Sequence, residues 1–329
     1  MYNYVFFWSP EEYYEYAFKD IMNFKNVNFI KGIPDSFGPF LKTIHKIHHS
    51  AKINKFIRLP ARKIWRYYYF KNKFRYNNPI IFIFHGNYYW MKSIGYFEFL
   101  KLKYPKCKCV LLLMDTVDSY KKYFKGKYYG DFEINYIKNN FDYVYTYNAI
   151  DAKKYGFEYY QSIYSSLKIK KQENPINDIF FIGKAKDRLS IIHSLYHQLK
   201  NKGFRCEFYI VDVEKEKQLN NTDIIYNKRL TYFEILQHIS NSKGILEVVQ
   251  GGTDGFTFRL DEALVYDKNI ITNNTVINKV KYKNSPKIYY FDDNIINVDL
   301  DDYRRKYNDS YNYNNEYSPV NFLKKLNEM

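Results

Sequence analysis

The sequence predicts an α/β fold made of two domains, each built on a parallel β-sheet. The chain has 329 residues, of which 46% are hydrophobic, and this is enough for two buried cores. Short apolar runs that indicate buried strands alternate with amphipathic segments that indicate helices, which is typical of parallel sheets. A polar segment with a proline, residues 168–178, divides the strands into two series. We therefore expect a first domain at residues 1–168, a second at 174–300, and a tail with a terminal helix at 301–329.

The first half contains five apolar runs that predict buried strands, at residues 4–8, 27–30, 79–86, 109–114 and 141–146. Ser9 and Pro10 follow the first run and predict the start of a helix, since serine caps helices and proline suits their first position. Residues 43–70 form a basic, amphipathic stretch. Strands separated in this way by helical segments predict one parallel sheet.

The second half repeats this alternation, with predicted strands at residues 179–182, 208–211, 245–249 and 269–272. Apolar residues recur at helical spacing over residues 189–199. Thr231 and Glu234 have the spacing of a capping box, and we expect the helix that they start to end at Gly244. Residues 301–317 are rich in Tyr, Asn and Asp without periodicity, and they predict an irregular surface segment.

The charge of the chain indicates anionic partners. The formal net charge is +16 and the isoelectric point is near 9.3, so nucleic acid, anionic lipid headgroups and phosphorylated substrates are all attracted. The basic residues are dispersed, and the sequence lacks an RNA-binding signature, a zinc finger or a long basic helix. We therefore expect no specific nucleic-acid partner. The 38 Tyr and 27 Phe are spread over the whole length, which points to a compositional bias rather than a binding motif.

The cysteine count and the lack of targeting segments indicate the compartment. Three cysteines are too few for a disulfide framework, which favours a reducing environment. The N-terminus lacks the pattern of a signal peptide, and no apolar run approaches the ~18 residues of a membrane span. We expect a cytoplasmic protein whose basic surface can attach it peripherally to the anionic inner face of the cytoplasmic membrane.

Residues 244–272 hold the most informative pattern of the sequence. A predicted strand delivers the glycine-rich loop QGGTDGF to a helix N-terminus, where backbone N–H groups and the helix dipole favour a phosphate. Glycines in such a loop let the backbone approach a ligand closely. The residues predicted to bind at this end are Gly252, Thr253, Gly255, Phe256 and Thr257.

Two carboxylates and an arginine accompany this loop. Asp254 ends the loop, and Glu262 lies two turns into the following helix. A carboxylate at that depth suits a ribose diol, because it can accept hydrogen bonds from both hydroxyls. Arg259, one turn before Glu262, can reach a pyrophosphate. If the segment is instead an ordinary loop and amphipathic helix, these charges are solvated.

The stretch DGFTFRLDEAL resembles the donor motif of retaining GT-B glycosyltransferases, in which an acid followed by Gly and Phe is separated from Glu-Ala by seven residues, counted between the two acids. Asp254 stands where that family more often has Glu. The wider segment is similar to glycosyltransferases of bacterial lipopolysaccharide and capsule synthesis. The resemblance implies two Rossmann-like domains with the active site in the interdomain cleft. It also implies a nucleotide-sugar donor, a glycan or lipid-linked saccharide acceptor, a sugar contact for Asp254 and a ribose contact for Glu262.

A second element, FFIGKAKDR, supports a donor site. Gly183 ends a predicted strand, and Lys184, Lys186 and Arg188 follow it. Cations at such a turn can neutralise a diphosphate leaving group. The segment resembles the Gly-Arg and Lys that open the donor domain of the same family, although the spacing here is shorter and leaves open which cation has this role. A solvated surface turn is the alternative.

Candidate catalytic and acceptor residues lie in the first half. His85, Gly86, Asn87 and Asp115 follow predicted strands, and ligands gather at the carboxyl ends of parallel strands. Asp35, in the turn-rich segment GIPDSFGPF, is a further candidate for a catalytic base. His85 can equally be a hydrogen-bonded turn residue, and Asp35 can equally bond its own backbone.

We expect no bound metal and no cofactor, because His45, His48 and His49 lack an accompanying acid cluster. Retention of the anomeric configuration follows from the resemblance, with the leaving phosphate assisting attack by the acceptor hydroxyl. An inverting enzyme would instead use Asp35 or Asp115 as its base. A different alternative is a non-catalytic protein that binds glycan or nucleic acid through its aromatic and basic surface.

Overall fold

The computed structural model describes residues 2–8, 11–31, 37–57, 59–69, 79–127, 130–169, 172–249, 255–292 and 294–329. The chain divides into two compact units. Unit 1 comprises Met1–Gln161 and Pro319–Met329, and unit 2 comprises Ser162–Ser318.

Unit 1 contains a six-stranded sheet in the order β2-β1-β3-β4-β5-β6, and all its pairings are parallel. Its strands are β1 (Asn3–Trp8), β2 (Val27–Lys31), β3 (Ile80–His85), β4 (Lys108–Leu113), β5 (Tyr143–Thr146) and β6 (Glu158–Tyr159). Every side chain of β1 and β3 is buried, as the apolar runs predict for strands covered on both faces. The sheet order reverses direction between β1 and β3, which makes this the topological switch point of the unit.

The helices of unit 1 connect these strands. They are α1 (Glu12–Ala17), α2 (Pro39–His48), α3 (Ala51–Phe56), α4 (Trp65–Tyr69), α5 (Tyr96–Lys103), α6 (Val117–Phe124), α7 (Ile134–Asn140) and α8 (Ala149–Tyr155). The predicted cap of the first helix, Ser9 and Pro10, lies outside the described residues. The core is strongly aromatic, and Phe7 stacks on Phe84 with ring centroids 4.4 Å apart. Many of the aromatic residues noted in the composition therefore fill this core.

Unit 2 contains a second six-stranded parallel sheet, in the order β12-β11-β10-β7-β8-β9. Its strands are β7 (Asn177–Lys184), β8 (Cys206–Val211), β9 (Ile225–Tyr226), β10 (Ser242–Glu247), β11 (Asn269–Thr272) and β12 (Ile288–Tyr290). Counted within the unit, this is the 3-2-1-4-5-6 order of a Rossmann sheet. The switch point lies between β7 and β10.

The helices of unit 2 are α9 (Leu189–Asn201), α10 (Tyr232–Ser240), α11 (Phe258–Val265) and α12 (Leu300–Lys306). Thr231 caps α10 and forms the predicted capping box with Glu234. The expectation that Gly244 ends this helix is wrong, because α10 ends at Ser240 and Gly244 lies inside β10. A side chain at Gly244 would collide with the hydroxyl of Tyr303 and the backbone of Asn269. Close packing, rather than a helix end, requires this glycine.

Unit 2 begins with a buried segment that packs on its helices. Ser162 Oγ donates a hydrogen bond to Asp261 Oδ2 at 2.6 Å. The hydroxyls of Tyr164 and Tyr232 are 2.7 Å apart. These buried contacts explain why the division between the units falls at residues 161/162, ahead of the polar segment 168–178.

The segment after residue 300 differs from the prediction of an irregular surface segment. It contains α12, and its tyrosines Tyr303, Tyr307, Tyr311 and Tyr317 are buried. The hydroxyl of Tyr311 donates to the carbonyl of Lys268 at 3.0 Å. Because a tyrosine can bury its ring while its hydroxyl stays paired, a Tyr-rich segment can pack without apolar periodicity.

The last helix, α13 (Pro319–Asn327), belongs to unit 1. Tyr4 Oη in β1 donates to the carbonyl of Leu323 at 3.2 Å. The ring of Phe322 packs edge-on against Tyr145, with centroids 5.4 Å apart. Two strands of the first sheet therefore hold this helix.

Asp178, the second residue of β7, is a fully buried carboxylate surrounded by cations. It accepts hydrogen bonds from Arg304 at 3.0 and 2.6 Å and from the backbone N–H of Arg205 at 3.0 Å, and Lys243 Nζ is 3.4 Å away. Burial alone would raise the pKa of Asp178, but these hydrogen bonds hold it well below its usual range. The carboxylate links β7 to α12 and to β10.

We expect Asp178→Asn to lower the free energy of unfolding by about 2–3 kcal/mol at pH 7, because charged hydrogen bonds are lost. The pKa of Asp178 is lower in the folded than in the unfolded state, so this stabilisation exists above the unfolded value of about 3.9 and disappears as the pH falls through the folded pKa. Urea unfolding of both proteins between pH 7 and pH 3 should show a difference that shrinks below about pH 4. A difference independent of pH would contradict this assignment.

Two further properties concern the whole described chain. None of the helices in the described ranges has the length and apolar character needed to cross a membrane. Cys107, Cys109 and Cys206 are free thiols.

Candidate functional site

Arg188 occupies the switch point of unit 2. Its guanidinium donates to the carbonyl of Lys184 at 2.8 Å and to the carbonyl of Val248, which follows β10. The Nε–H group of Arg188 is buried and has no hydrogen-bond partner among the described residues. Burial lowers the pKa of Arg188, but an arginine side chain keeps its charge in proteins. A fixed positive charge with an unused donor therefore lies where doubly wound sheets bind their ligands.

The two predicted lysines of this turn are exposed. Lys184 Nζ pairs with Asp212 at 3.1 Å, and Asp212 also lies 3.5 Å from Arg229. Lys186 has a positive φ of 46° in the short 3-10 helix Lys186–Arg188. Among the cations that the sequence left as alternatives, Arg188 is held by two backbone carbonyls.

Two neighbouring asparagines hold the ends of the glycine-rich loop. Asn273 Oδ1 accepts from the backbone N–H of Val249 at 2.8 Å, and Asn274 Nδ2 donates to the carbonyl of Gly255 at 3.1 Å. The predicted ligand residues Gly252, Thr253 and Asp254 lie between these anchors and outside the described residues. Phe256, also predicted, is buried and packs against Tyr317 with ring centroids 4.9 Å apart. The two ends of the loop, where it follows β10 and where it precedes α11, are therefore held in place by side chains.

Thr257 caps α11, because its side chain accepts a hydrogen bond from the backbone N–H of Leu260. The same hydroxyl donates to Glu247, the last residue of β10, and Thr272 donates to the other carboxylate oxygen. Glu247 is fully buried, and burial raises its pKa. This carboxylate joins the end of β10 to the start of α11 and to β11, and it is not among the site residues predicted from the sequence. Its position at the end of an apolar run is the feature of the sequence that could have identified Glu247.

Glu262 forms an ion pair with Arg259, whose side chain is 20% exposed. Glu262 is 0% exposed, and its Oε2 is paired with Arg259. Its Oε1 accepts from the hydroxyl of Tyr232 at 2.7 Å. Burial raises the pKa of Glu262, an effect that the nearby Arg259 opposes. Both oxygens that a ribose would need are thus engaged by protein groups, and the predicted pyrophosphate contact of Arg259 competes with this pair.

His85 lies at the switch point of unit 1, at the end of β3. It is 2% exposed, and its Nδ1 accepts from the backbone N–H of Asn87 at 3.1 Å. The proton of the ring is therefore on Nε2, which has no partner among the described residues, and Trp8 Nε1 at the end of β1 is likewise unpartnered there. Burial lowers the pKa of His85 to about 3. His85 is thus a neutral donor that suits a ligand oxygen, and it is a weak general base.

Asp115 follows β4 on the same edge of the sheet and is exposed. Its Oδ1 accepts from the backbone N–H of Thr116 at 2.7 Å. Gly86, next to His85, lies directly under the ring of Tyr120, which leaves no room for a side chain. The other predicted base, Asp35, lies outside the described residues. Of the two predicted bases, Asp115 is therefore the one that lies within the described residues, and it lies at this edge.

His45 and His48 in α2, and His49 directly after it, serve packing. His45 lies 2.6 Å from the hydroxyl of Tyr69, and Trp65 Nε1 donates to His48 Nδ1 at 2.7 Å. Burial lowers the pKa of His45 to about 4 and that of His49 to about 3, so both rings are neutral near pH 7. Within the described ranges, no three His, Cys, Asp or Glu side chains are grouped as metal ligands would be.

Two surface hollows of unit 2 lie away from this edge. Cavities of about 470 and 270 Å³ share Lys168, Ile169 and Ser240 in their linings. Ser240 ends α10 immediately before β10 begins, so these hollows face the amino ends of the strands. They are not continuous with the residues around Arg188.

Comparison with known proteins establishes the fold. An α-glucosyltransferase solved in complex with UDP and a 13-mer DNA containing an HMU base aligns with a TM-score of 0.61 and 11% identity, over 99% of this chain and 98% of that one. Two further structures superpose only loosely. The glycotransferase of kitacinnamycin aligns with a TM-score of 0.39 and 9% identity, over 99% of this chain and 95% of that one. The glycosyltransferase SnogD from Streptomyces nogalater aligns with a TM-score of 0.39 and 8% identity, over 94% of this chain and 92% of that one. No protein family and no curated protein matches the sequence. The predicted α/β fold of two Rossmann-like domains, of the GT-B class, is confirmed.

Proposed function

We propose that this chain is a glycosyltransferase that moves a sugar from a nucleotide-sugar donor to an acceptor hydroxyl. The observation that carries the proposal is Arg188, a cation held by backbone carbonyls from the ends of two strands at the switch point of unit 2. Beside it lie the two anchored ends of a glycine-rich loop and the start of α11. A diphosphate needs this combination of fixed cation, backbone N–H groups and helix dipole.

The same groups suit the chemical step. When the bond between the sugar C1 and the diphosphate oxygen breaks, negative charge develops on the diphosphate, and a preorganised cation stabilises it. In the retaining reaction that we propose, the acceptor oxygen bonds to C1 on the same face, and its proton passes to the departing diphosphate oxygen. Arg188, with Lys184 and Lys186, would then serve in place of a metal ion.

The donor contacts of the two acids remain part of this proposal. Asp254 would contact the sugar, as the resemblance implies. A ribose contact by Glu262 requires its pair with Arg259 or its bond from Tyr232 to open when donor binds. A fold neighbour was solved with UDP, so UDP-glucose is the first donor to test.

An inverting reaction would need a base in unit 1. Asp115 suits this role better than His85, because it is exposed at the sheet edge while burial makes the His85 ring a weak base. The anomeric configuration of the product, determined by NMR, separates the two reactions. An inverted product would exclude retention.

For the acceptor, we propose a glycan or lipid-linked saccharide of bacterial surface polysaccharide synthesis, on the basis of the resemblance of residues 244–272. A nucleic-acid acceptor is the second candidate. It is favoured by the net charge of +16 and by the DNA bound in the fold neighbour. Incubation with radiolabelled donor and either a saccharide or a DNA acceptor distinguishes them by which one becomes labelled.

A thermal-shift screen tests the proposal without knowledge of the acceptor. Nucleoside diphosphates and nucleotide-sugars of each base should raise the melting temperature, since a ligand at about 100 times its Kd stabilises a protein by about 2.7 kcal/mol. The free nucleosides serve as the matched control, because they lack the diphosphate that Arg188 would bind. If no nucleoside diphosphate or nucleotide-sugar stabilises the protein, the proposal fails.

A further inference from the structure

A long segment of unit 1 is free of acidic residues. Between Asp35 and Glu98 the sequence contains twelve Lys and Arg and no Asp or Glu. Within the described part of this segment, α2, α3, α4 and the short 3-10 helix Arg62–Ile64 display several of these cations. Lys46, Lys52 and Lys63 are exposed. The described part of this segment therefore contributes cations and no carboxylates to the surface of unit 1.

The same helices expose large apolar side chains. Of sixteen such side chains that are exposed in the described residues, seven lie between residues 40 and 67. We define the basic apolar surface by six of them: Phe40, Ile47, Ile53, Phe56, Ile57 and Ile64. Phe40 is 74% exposed and Phe56 is 83% exposed, which is unusual for phenylalanine in contact with water.

Helix geometry groups these side chains. Phe40 and Ile47 are seven residues apart in α2 and therefore share one helix face. Ile53 and Phe56 are three residues apart in α3, which contacts α2. Apolar faces on adjoining helices with lysines beside them are typical of a membrane-surface element.

The opposite side of this layer is firmly packed. Phe37, Trp65 and Tyr69 are at most 3% exposed and belong to the core of unit 1. His45, on the face of α2 away from Phe40, is also buried and lies 2.6 Å from the hydroxyl of Tyr69. The outward apolar side chains are therefore presented by a supported layer.

We propose that the basic apolar surface docks on an anionic lipid bilayer, with its apolar side chains entering the headgroup region and its cations facing lipid phosphates. A second copy of the chain is a poor occupant, because two such surfaces repel each other. Nucleic acid satisfies the cations, and bases can stack on Phe40 and Phe56, but the four isoleucines of the surface have no aromatic face and would stay in contact with water. An anionic bilayer matches both the charge and the aliphatic side chains. This inference goes beyond the proposed sugar transfer and does not depend on it.

Flotation of the full chain with vesicles, without any donor, tests the inference. Vesicles of phosphatidylcholine with phosphatidylglycerol should bind the protein at least about tenfold more tightly than phosphatidylcholine alone, and added salt should weaken this binding. The double variant Phe40→Ser/Phe56→Ser should bind the anionic vesicles at least about tenfold less tightly, because two apolar anchors are lost. Leu102→Ser is the matched control, since Leu102 is 81% exposed on another helix of unit 1.

The variants change exposed side chains, so their melting temperatures should equal that of the wild type. A second variant, Lys46→Glu/Lys52→Glu, keeps the apolar side chains and replaces two positive charges by negative ones. It should also weaken binding to anionic vesicles. Equal binding to neutral and anionic vesicles would overturn the inference. Unchanged vesicle binding in the double Phe variant would also overturn it. This result would be decisive if the same variant lost affinity for a single-stranded oligonucleotide, measured by fluorescence anisotropy.

Discussion

Glu262→Ala is expected to lower the free energy of unfolding by about 3–5 kcal/mol, because it removes the fully buried carboxylate that pairs with the mostly buried guanidinium of Arg259. The hydroxyl of Tyr232 loses its acceptor as well. Urea unfolding followed by circular dichroism measures this loss directly. The three tryptophans all lie in the sequence of unit 1, so their fluorescence is a poorer probe of unit 2.

The matched control is Glu262→Gln, which keeps an oxygen for Tyr232 and should lose less stability. A double-mutant cycle with Arg259→Ala should show strong coupling, because removal of both charges leaves no isolated buried ion. A loss below about 1 kcal/mol in Glu262→Ala would mean that the carboxylate is not held as the structure has it. Because of this structural role, a ribose contact must be tested with Glu262→Gln.

Arg188→Ala is expected to lower kcat for sugar transfer about 100- to 1,000-fold, the usual effect of removing a preorganised group that stabilises transition-state charge. Donor affinity should fall too, because the cation contacts the diphosphate in the ground state. Steady-state kinetics and donor titration measure both quantities. Arg188→Lys keeps the charge but loses the forked contacts to the carbonyls of Lys184 and Val248, and it should recover part of the loss.

The control for this prediction is Arg305→Ala, which removes a largely exposed arginine of α12. It should leave kcat and donor affinity unchanged. If Arg188→Ala behaves like Arg305→Ala, the donor diphosphate does not bind at this arginine.

Nine of the twelve strands in the described residues could be predicted from the sequence because buried strands are continuous apolar runs, whereas the short strands β6, β9 and β12 were not predicted. The capping box of Thr231 and Glu234 could be predicted because it is local. Gly244 could not. A glycine after a helical segment is typical of a helix end, and its actual constraint comes from Tyr303, which is far along the chain. The buried tyrosines after residue 300 were missed for a similar reason, since tertiary contacts rather than periodicity bury them.

The sequence indicates which segments form the candidate site, but it does not indicate the contacts that their side chains make. The glycine-rich loop and the cationic turn were both recognisable, because each follows an apolar run. The choice of Arg188 among three cations depends on carbonyls from two separate strands. The loop anchor of Asn274 spans 19 residues of sequence to Gly255. The burial of Glu262 was not foreseen, because the acid follows the pattern of a solvent-facing ligand residue while Tyr232, on another helix, covers it.

Hydrogen–deuterium exchange with a saturating nucleoside diphosphate tests the central claim most directly. The claim is that the donor binds at the carboxyl edge of the sheet in unit 2. Peptides that cover residues 183–188 and 248–258 should gain protection, and peptides around His85 and Asp115 should change little with this ligand alone. Protection confined to unit 1, or no protection with any nucleoside diphosphate, would contradict the account.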